Sequence, residues 1–251
     1  MTLLHITTRA AWAAGRIDPA GGDSFVHLSR PDQVHVPANL LYAGRTDLVL
    51  LAIDPRRVAG DVREEGGFPH LYAAVTTDAV FDVLALQPDD DGVFRLVFAP
   101  VPAVDPTAAA LIEDMVLEMQ LLYGARIDGA DMPSATPADF AEPAGTFLVG
   151  HLDGEPVAGG GVKSLGDGVA EIKRMYVTPD VRNRGVARQL LEKLEAAAHR
   201  RGHSRVRLDT GPKQPQARHL YESAGYREIA NYNNNPRATF FGEKLLTAPA
   251  R

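Results

Sequence analysis

The sequence predicts an α+β protein of two domains, a strand-rich module followed by a mixed α/β domain, and three observations carry that expectation. Its 251 residues exceed the roughly 100–200 that a single core usually organises. Pro100, Pro102 and Pro106 crowd one short stretch, where fixed φ angles disfavour helix and supply an extended connector. The apolar pattern also changes across that stretch, from short strand-like runs to a long helix and a three-strand meander. The expected division is residues 1–99, a linker at 100–106, and residues 107–251.

Before the linker, Leu3 to Ile6 reads as a strand, Thr8 as the cap of a helix through Trp12 to Ala14, and Phe25 to Leu28 as a second strand. The unbroken apolar run Leu48 to Ile53 reads as a strand buried on both faces, stopped by Asp54-Pro55. Ala79 to Leu86 is another strand, and the turn Pro88 to Gly92 leads into Val93 to Phe98.

After the linker, Leu111, Met115, Leu117, Met119 and Leu122 fit a helix over Thr107 to Tyr123 with at least one buried face, ended by Gly124. The connection Gly129 to Pro143 is longer than most compact-domain loops and suits the substrate side of a cleft. Thr146 to Leu152 and Pro156 to Lys163 flank the hairpin signal Asp153-Gly154, and Gly166-Asp167-Gly168 turns the chain into Val169 to Val177. A helix from Gly185 to His199 carries Val186, Leu190, Leu191, Leu194 and Ala197 as an apolar stripe, with Gly202 closing it. A strand at Arg205 to Leu208, a helix at Pro215 to Ala224, and strands at Tyr226 to Ile229 and Thr239 to Leu245 complete the order.

Composition narrows the chemistry. A net charge of −6 argues against an extensive nucleic-acid surface, which needs a basic face to displace counterions. The absence of cysteine excludes disulfides, thiolate metal sites and a cysteine nucleophile. Nothing approaches the roughly 18 apolar residues of a membrane span, and Met1 is followed by no basic leader. No metal and no membrane partner are therefore expected, and the cytoplasm is the expected location.

The order strand, sharp turn, glycine, amphipathic helix is what an anion site needs, because unpaired N–H groups and the positive dipole end face the bound group. Arg182-Asn183-Arg184-Gly185-Val186-Ala187 occupies that junction. A side chain at Gly185 would obstruct close approach of a diphosphate, and Arg182 and Arg184 add positive charge. Taken alone, the six residues fit a solvated basic helix start equally well.

More residues agree. Arg182-x-x-Gly185-x-Ala187, preceded by Glu171-Ile172-Lys173-Arg174-Met175-Tyr176-Val177 and followed by Gln214-Pro215-Gln216-Ala217-Arg218-His219-Leu220-Tyr221-Glu222-Ser223-Ala224-Gly225-Tyr226, resembles the GNAT superfamily of acetyltransferases over residues 105–246. The departure is Gln214, where that family usually has Asn. The resemblance implies a mixed α/β domain with a central twisted, splayed sheet. It implies acetyl-CoA as co-substrate, with the diphosphate on backbone amides of Arg184 to Ala187 and the pantetheine arm beside Met175, Tyr176 and Val177. The acceptor it implies is an amine on a small molecule or a peptide. A backbone N–H near Tyr176 would stabilise the oxyanion.

Alkyl amines with a pKa near ~10.4 are mostly protonated at neutral pH, so a base is useful. Glu171 is the candidate, acting directly or through water; it reads equally as an exposed strand-end carboxylate paired with Lys173 or Arg174. Tyr221 is the candidate acid for the leaving thiolate, its alternative being a core tyrosine beside Leu220. His199, His203 and His219 read as solvated helix-end residues. The acceptor would be shaped by Leu111 to Phe140, with Met115, Met119 and Tyr123 as residues that reach the cleft or fill the core. A homodimer is compatible with everything read so far.

In the first module, His5-Ile6-Thr7-Thr8, Phe25-Val26-His27-Leu28-Ser29 and Phe68-Pro69-His70-Leu71-Tyr72 pair histidines with hydroxyls at strand ends. Together they resemble the bacterial family called domain of unknown function 952, over residues 1–99, which is similar in fold to ADP-ribosyltransferases and RNA 2′-phosphotransferases. That resemblance places His5 and Thr7 on a ribose-contacting His-x-Thr element, with His27, Ser29, Glu65 and His70 lining the same cleft. It opens an alternative function, in which this module binds or acts on NAD, ADP-ribose or an RNA 2′-phosphate and the second domain is a CoA-binding regulatory partner. The same histidines read also as satisfied structural hydrogen-bond partners.

Overall fold

A computed structural model describes residues 1–19, 24–124 and 135–247. The chain divides into two compact units, one of Met1–Val101 with Val149–Val157, the other of Pro102–Leu148 with Ala158–Arg251.

In the first unit, β1 (Leu3–Thr8) leads into α1 (Arg9–Trp12), β2 (Arg16–Ile17), β3 (Val26–His27), α2 (His35–Tyr42) and β4 (Leu48–Ile53). Then come β5 (Val62–Glu65), β6 (Phe68–Leu71), β7 (Val75–Thr76), β8 (Val80–Leu86) and β9 (Leu96–Pro100). One three-stranded sheet runs β1-β4-β8 and another β3-β6-β5, with an isolated Leu4↔Ser29 bridge tying the second to the first. All six residues of β4 are buried, as its unbroken apolar run predicts. Leu3, Val26, Leu28, Val49, Leu51, Ile53, Leu71 and Val75 make the core. Thr8 does cap α1, its hydroxyl accepting from the Ala11 N–H at 3.0 Å.

Two features differ from expectation. Helix α2 leaves Val36, Leu40 and Leu41 exposed and buries only Ala38, so it offers no apolar stripe to read. The strand expected at Val93 to Phe98 begins later and runs through Pro100. It lies at the end of its sheet, where a missing N–H costs no ladder bond.

The second unit opens with α3 (Pro106–Tyr123), a 3-10 turn at Pro137–Phe140, β10 (Thr146–Leu152), β11 (Glu155–Gly166) and β12 (Val169–Val177). A 3-10 turn at Pro179–Val181, α4 (Val186–Arg200), β13 (Arg205–Thr210), α5 (Pro215–Ser223), β14 (Arg227–Glu228) and β15 (Phe240–Leu245) follow. The sheet order is β14-β15-β13-β12-β11-β10-β9. Asp153 and Gly154 both take positive φ, 50° and 92°, as the two-residue hairpin requires. Helix α3 is capped by the Asp105 carboxylate at its start and by left-handed Gly124 at its end. It buries Ala108, Leu111 and Met115, the one buried face expected, while Leu117 and Leu122 are exposed. Of the expected Gly129 to Pro143 connection, residues 129–134 lie outside the described residues.

Candidate active site

The site begins where two strands part. β12 and β13 pair in parallel from Val169↔Arg205 to Glu171↔Arg207 and no further, although β12 continues to Val177 and β13 to Thr210. On the other side of β12, Gly159 faces Tyr176 while Gly161 faces Lys173, so one extra residue is taken up on β12. Arg174 marks that bulge with a φ of 55°, an unfavourable conformation for a side chain with a Cβ. Tyr176 and Val177 stay paired with Gly159 and Ala158 of β11, while β12 beyond Glu171 has lost β13 on its other side, which leaves a slot there.

Beside the slot stands the start of α4. Asn183 and Gly185 take φ of 62° and 81°, and Gly185 caps the helix without any side-chain hydrogen bond. The first N–H groups of a helix have no partner within it. A Cβ at Gly185 would meet no protein atom within 4 Å, so the space over the turn is open. An open groove of about 460 Å³ continues from there, lined by Asn183, Arg188, Pro215, Gln216, His219 and Leu220. Bare amides, a dipole end, a glycine and a groove fit the diphosphate and nucleotide end of acetyl-CoA.

The two arginines of the turn differ. Arg182, though exposed, binds back onto the protein, donating from Nε to the Val177 carbonyl at 2.9 Å and from Nη2 to Glu118 at 2.6 Å, 5.6 Å above the Tyr176 ring. These bonds fasten the turn to β12 and α3. Arg184 stays exposed at the turn. Gln214 is half-buried, with Oε1 accepting from the Thr210 hydroxyl at 3.2 Å.

Tyr221 on α5 is buried, its ring 5.9 Å from that of Tyr226. Its hydroxyl makes no hydrogen bond among the described residues. Burial first, and then the negative charge of Asp209, push the phenol above its ordinary range. Glu171 is not the exposed strand-end carboxylate of one reading, being only 2% exposed. Its Oε1 accepts from the Tyr232 hydroxyl at 2.7 Å and from the Asn233 amide at 3.0 Å. Lys173 stands 3.3 Å from Oε1 and Lys163 4.0 Å from Oε2. Arg174 turns aside to the Ala135 carbonyl. Asp209 joins the cluster through Asn233, Asn235 and Lys173. Burial, then Glu171 and Asp209, push the Tyr232 phenol up, so it stays a donor.

Sequence reasoning missed Tyr232, Asn233 and Asn235. The run Asn231-Tyr232-Asn233-Asn234-Asn235 was a visible signal, four side-chain amides in five residues, without any pattern to say that they converge on a carboxylate. His203 is a correction too: it is buried, with neither ring nitrogen hydrogen-bonded among the described residues, because the chain folds back to place its N–H on the Ala198 carbonyl.

In the first unit the structure gathers most of the anticipated set. His5 Nδ1 donates to the His27 carbonyl at 2.8 Å, and His70 Nε2 lies 3.0 Å from His27 Nδ1. The Phe25 ring packs on His27, His70 and Tyr72, and the Tyr72 hydroxyl donates to Glu65 at 2.6 Å. Thr7 and Ser29 are buried, Ser29 being held by the backbone bridge to Leu4. Burial pushes the His5 imidazole down, so it is neutral at pH 7.

Among the described residues no group of three or more His, Asp or Glu side chains could hold a metal ion. No helix of the described residues is long and apolar enough to cross a membrane.

Comparison with known proteins agrees with this geometry. Residues 114–226 match the profile of the Acetyltransferase (GNAT) family, and residues 6–83 that of Protein of unknown function (DUF952). The uncharacterized N-acetyltransferase YsnE of Bacillus subtilis (strain 168) is 35% identical over 99 residues, covering 37% of this chain and 66% of that protein. An IAA acetyltransferase of Azospirillum brasilense is 32% identical over 109 residues, covering 42% of this chain and 71% of that one. In fold, the chain is similar to a GNAT-family acetyltransferase of Staphylococcus aureus MU50, with a TM-score of 0.52 at 18% identity over 61% of this chain and 99% of that one. The chain belongs to the acetyltransferase (GNAT) family, whose members are N-acetyltransferases that use acetyl-CoA, and carries a DUF952 domain ahead of its GNAT domain.

Proposed function

We propose that the C-terminal domain transfers an acetyl group from acetyl-CoA to an amine of a small molecule or peptide, with Glu171 as base and Tyr221 as acid. The observation that carries this is the parting of β12 from β13 directly after Glu171, beside the open, glycine-capped start of α4. Acetyl-CoA supplies the thioester; the rest of the chemistry falls to the chain. The amides of Arg184 to Ala187 hold negative charge at the helix start. The edge of β12 over Met175, Tyr176 and Val177 offers backbone partners to an extended arm, as a sheet edge does to an added strand. The Tyr176 N–H, on the part of β12 that β13 no longer pairs, stabilises a developing oxyanion. Glu171 takes the proton that an alkyl amine must shed before attack. Tyr221, held protonated by burial and Asp209, gives its proton to the departing sulfur.

The test is release of CoA thiol from acetyl-CoA over a panel of primary amines, comparing the wild type with Tyr221→Phe. Release with at least one amine, strongly reduced in the variant, is the expected result. A protein that binds acetyl-CoA yet releases no thiol with any amine is a binding module and not an enzyme.

The meeting of the His27 and His70 rings on Phe25, with His5 bonded to the His27 carbonyl, favours a second reading for the N-terminal domain, as a binder of NAD, ADP-ribose or an RNA 2′-phosphate. A carbonyl can only accept, so His5 Nδ1 carries the proton and Nε2 presents a lone pair. Calorimetric titration of the full chain with NAD, ADP-ribose and a 2′-phosphorylated oligonucleotide tests this; no heat and an unchanged melting temperature with all three would remove it.

A further inference from the structure

The Glu171 carboxylate is held asymmetrically. Two hydrogen bonds converge on Oε1, from the Tyr232 hydroxyl at 2.7 Å and the Asn233 amide at 3.0 Å, and the Lys173 ammonium pairs with the same oxygen at 3.3 Å. Among the described residues Oε2 accepts no hydrogen bond, and the Lys163 ammonium that pairs with it stands at 4.0 Å, beyond hydrogen-bond reach. A carboxylate has about four lone-pair sites over its two oxygens, and here nearly all the local donors are spent on one of them. Glu171 is also the last β12 residue paired to β13, so its side chain sits where the slot begins.

We propose that Tyr232 and Asn233 are positioning residues that fix Oε1 of Glu171 and thereby leave Oε2 as the atom that meets the acceptor amine. The inference rests on the reading of Glu171 as base. The two residues are themselves fixed from outside the cluster. The Tyr232 ring stacks edge-on to Phe241 at 6.0 Å and lies beneath the Arg207 guanidinium at 5.3 Å, with Arg207 neutralised by Glu243 on β15. Asn233 shares its amide with Asp209 Oδ2 at 2.9 Å, which Asn235 holds in turn at 2.8 Å. The five-residue asparagine run thus acts as a bracket across Glu171 on β12 and Asp209 on β13.

The titratable groups facing Glu171 are the Lys163 ammonium from β11, the Lys173 ammonium from β12 and the neutral Tyr232 phenol from the loop, with Asp209 one step away through Lys173. Asp139 of the 3-10 turn draws Lys163 to the far side at 3.8 Å. The same bracket reaches the acid, because the negative charge of Asp209 is one cause of the raised Tyr221 phenol.

The experiment measures kcat and KM for CoA release against pH, in the full chain, with the best amine of the panel, for wild type, Tyr232→Phe, Asn233→Ala and Glu171→Gln. Tyr232→Phe keeps the ring and its stacking, and its acetyl-CoA KM and melting temperature serve as the fold check. Loss of either hydrogen bond frees the carboxylate to turn, and lowers kcat about tenfold in each single variant with the acetyl-CoA KM unchanged, in line with one hydrogen bond to a charged group. Glu171→Gln lowers kcat roughly 10²-fold or more. An unchanged kcat in both Tyr232→Phe and Asn233→Ala, with Glu171→Gln inactive, overturns the positioning inference and leaves the base reading standing. Full activity in Glu171→Gln, or no release with any amine, removes the base reading and this inference with it.

Discussion

Tyr221 shows how much a single side chain can be asked to do and how cleanly it can be tested. Its hydroxyl has no hydrogen-bond partner among the described residues, so Tyr221→Phe strands no polar group, and a loss of that kind is normally what makes such a change costly. The variant is expected to melt within about 1–2 °C of the wild type, since its stability change stays near the ±0.5 kcal/mol of a neutral substitution, while kcat falls roughly 10²-fold. Because burial and Asp209 hold the phenol above its usual range, the acid stays protonated through alkaline pH. The rate should therefore show no alkaline loss below about pH 10, the ordinary phenol value; a limb near neutrality would assign the acid to another group. Gly185 offers the complementary test. Its φ of 81° suits glycine, and a β-branched residue there meets strain of about 1–2 kcal/mol as well as filling the open space over the turn. Gly185→Val should raise the acetyl-CoA KM tenfold or more and leave the amine KM unchanged; an unchanged acetyl-CoA KM would mean that the helix start is not the anion site. Both residues were legible in the sequence, because Gly at a helix start and Tyr in its block stand in short local patterns. Tyr232 and Asn233 were not, since a bracket between distant strands has no local spacing.

At the scale of elements, the meander was readable because its turns are spelled by residues with positive φ, Asp153-Gly154 and Asp167-Gly168, whereas the bulge at Arg174 was not. Nothing about arginine favours a left-handed conformation; the surrounding ladder imposes it. Helix α2 was missed for a related reason, its large apolar residues being outside. The 3-10 turn Pro137–Phe140 acts on β11 by close approach: a Cβ at Gly161 would lie 2.3 Å from the Phe140 ring, which is itself packed on Phe147. Gly161 also faces Lys173 across the bulge, so displacing Phe140 disturbs the strand that carries Glu171. Gly161→Val should cost about 1–3 kcal/mol as overpacking, a fall of roughly 2–12 °C in melting temperature for a chain of this size, with kcat reduced along with stability. If the melting temperature holds, the ring has room to move and the close approach is not a constraint.

For the whole molecule, the informative segment is the hairpin Val149–Val157, which groups with the first unit although the start of β10 and most of β11 belong to the second. The physical ties lie within the first unit. The Asp153 N–H donates to the Arg95 carbonyl at 2.8 Å, Gly150 lies against the Phe98 ring, and Gly154 lies against the Asp32 carbonyl and the His35 ring. Val97, Phe98 and Ala99 are buried, and part of that burial depends on residues some fifty positions later in the sequence. Sequence alone marked the Pro100 to Pro106 stretch as a boundary because composition is local; nothing local says that a later hairpin returns to cover what came before. A fragment of residues 1–104 lacks Val149–Val157 and so exposes apolar surface that the full chain buries, which weakens it in proportion to the area uncovered. It should melt lower than the same fragment carrying residues 149–157 on a flexible linker, and should bind a dye for exposed apolar surface that the longer form does not. Equal melting temperatures for the two would show that the first unit is complete without the hairpin, and would make the shorter fragment a sound vehicle for ligand studies on His5, His27 and His70.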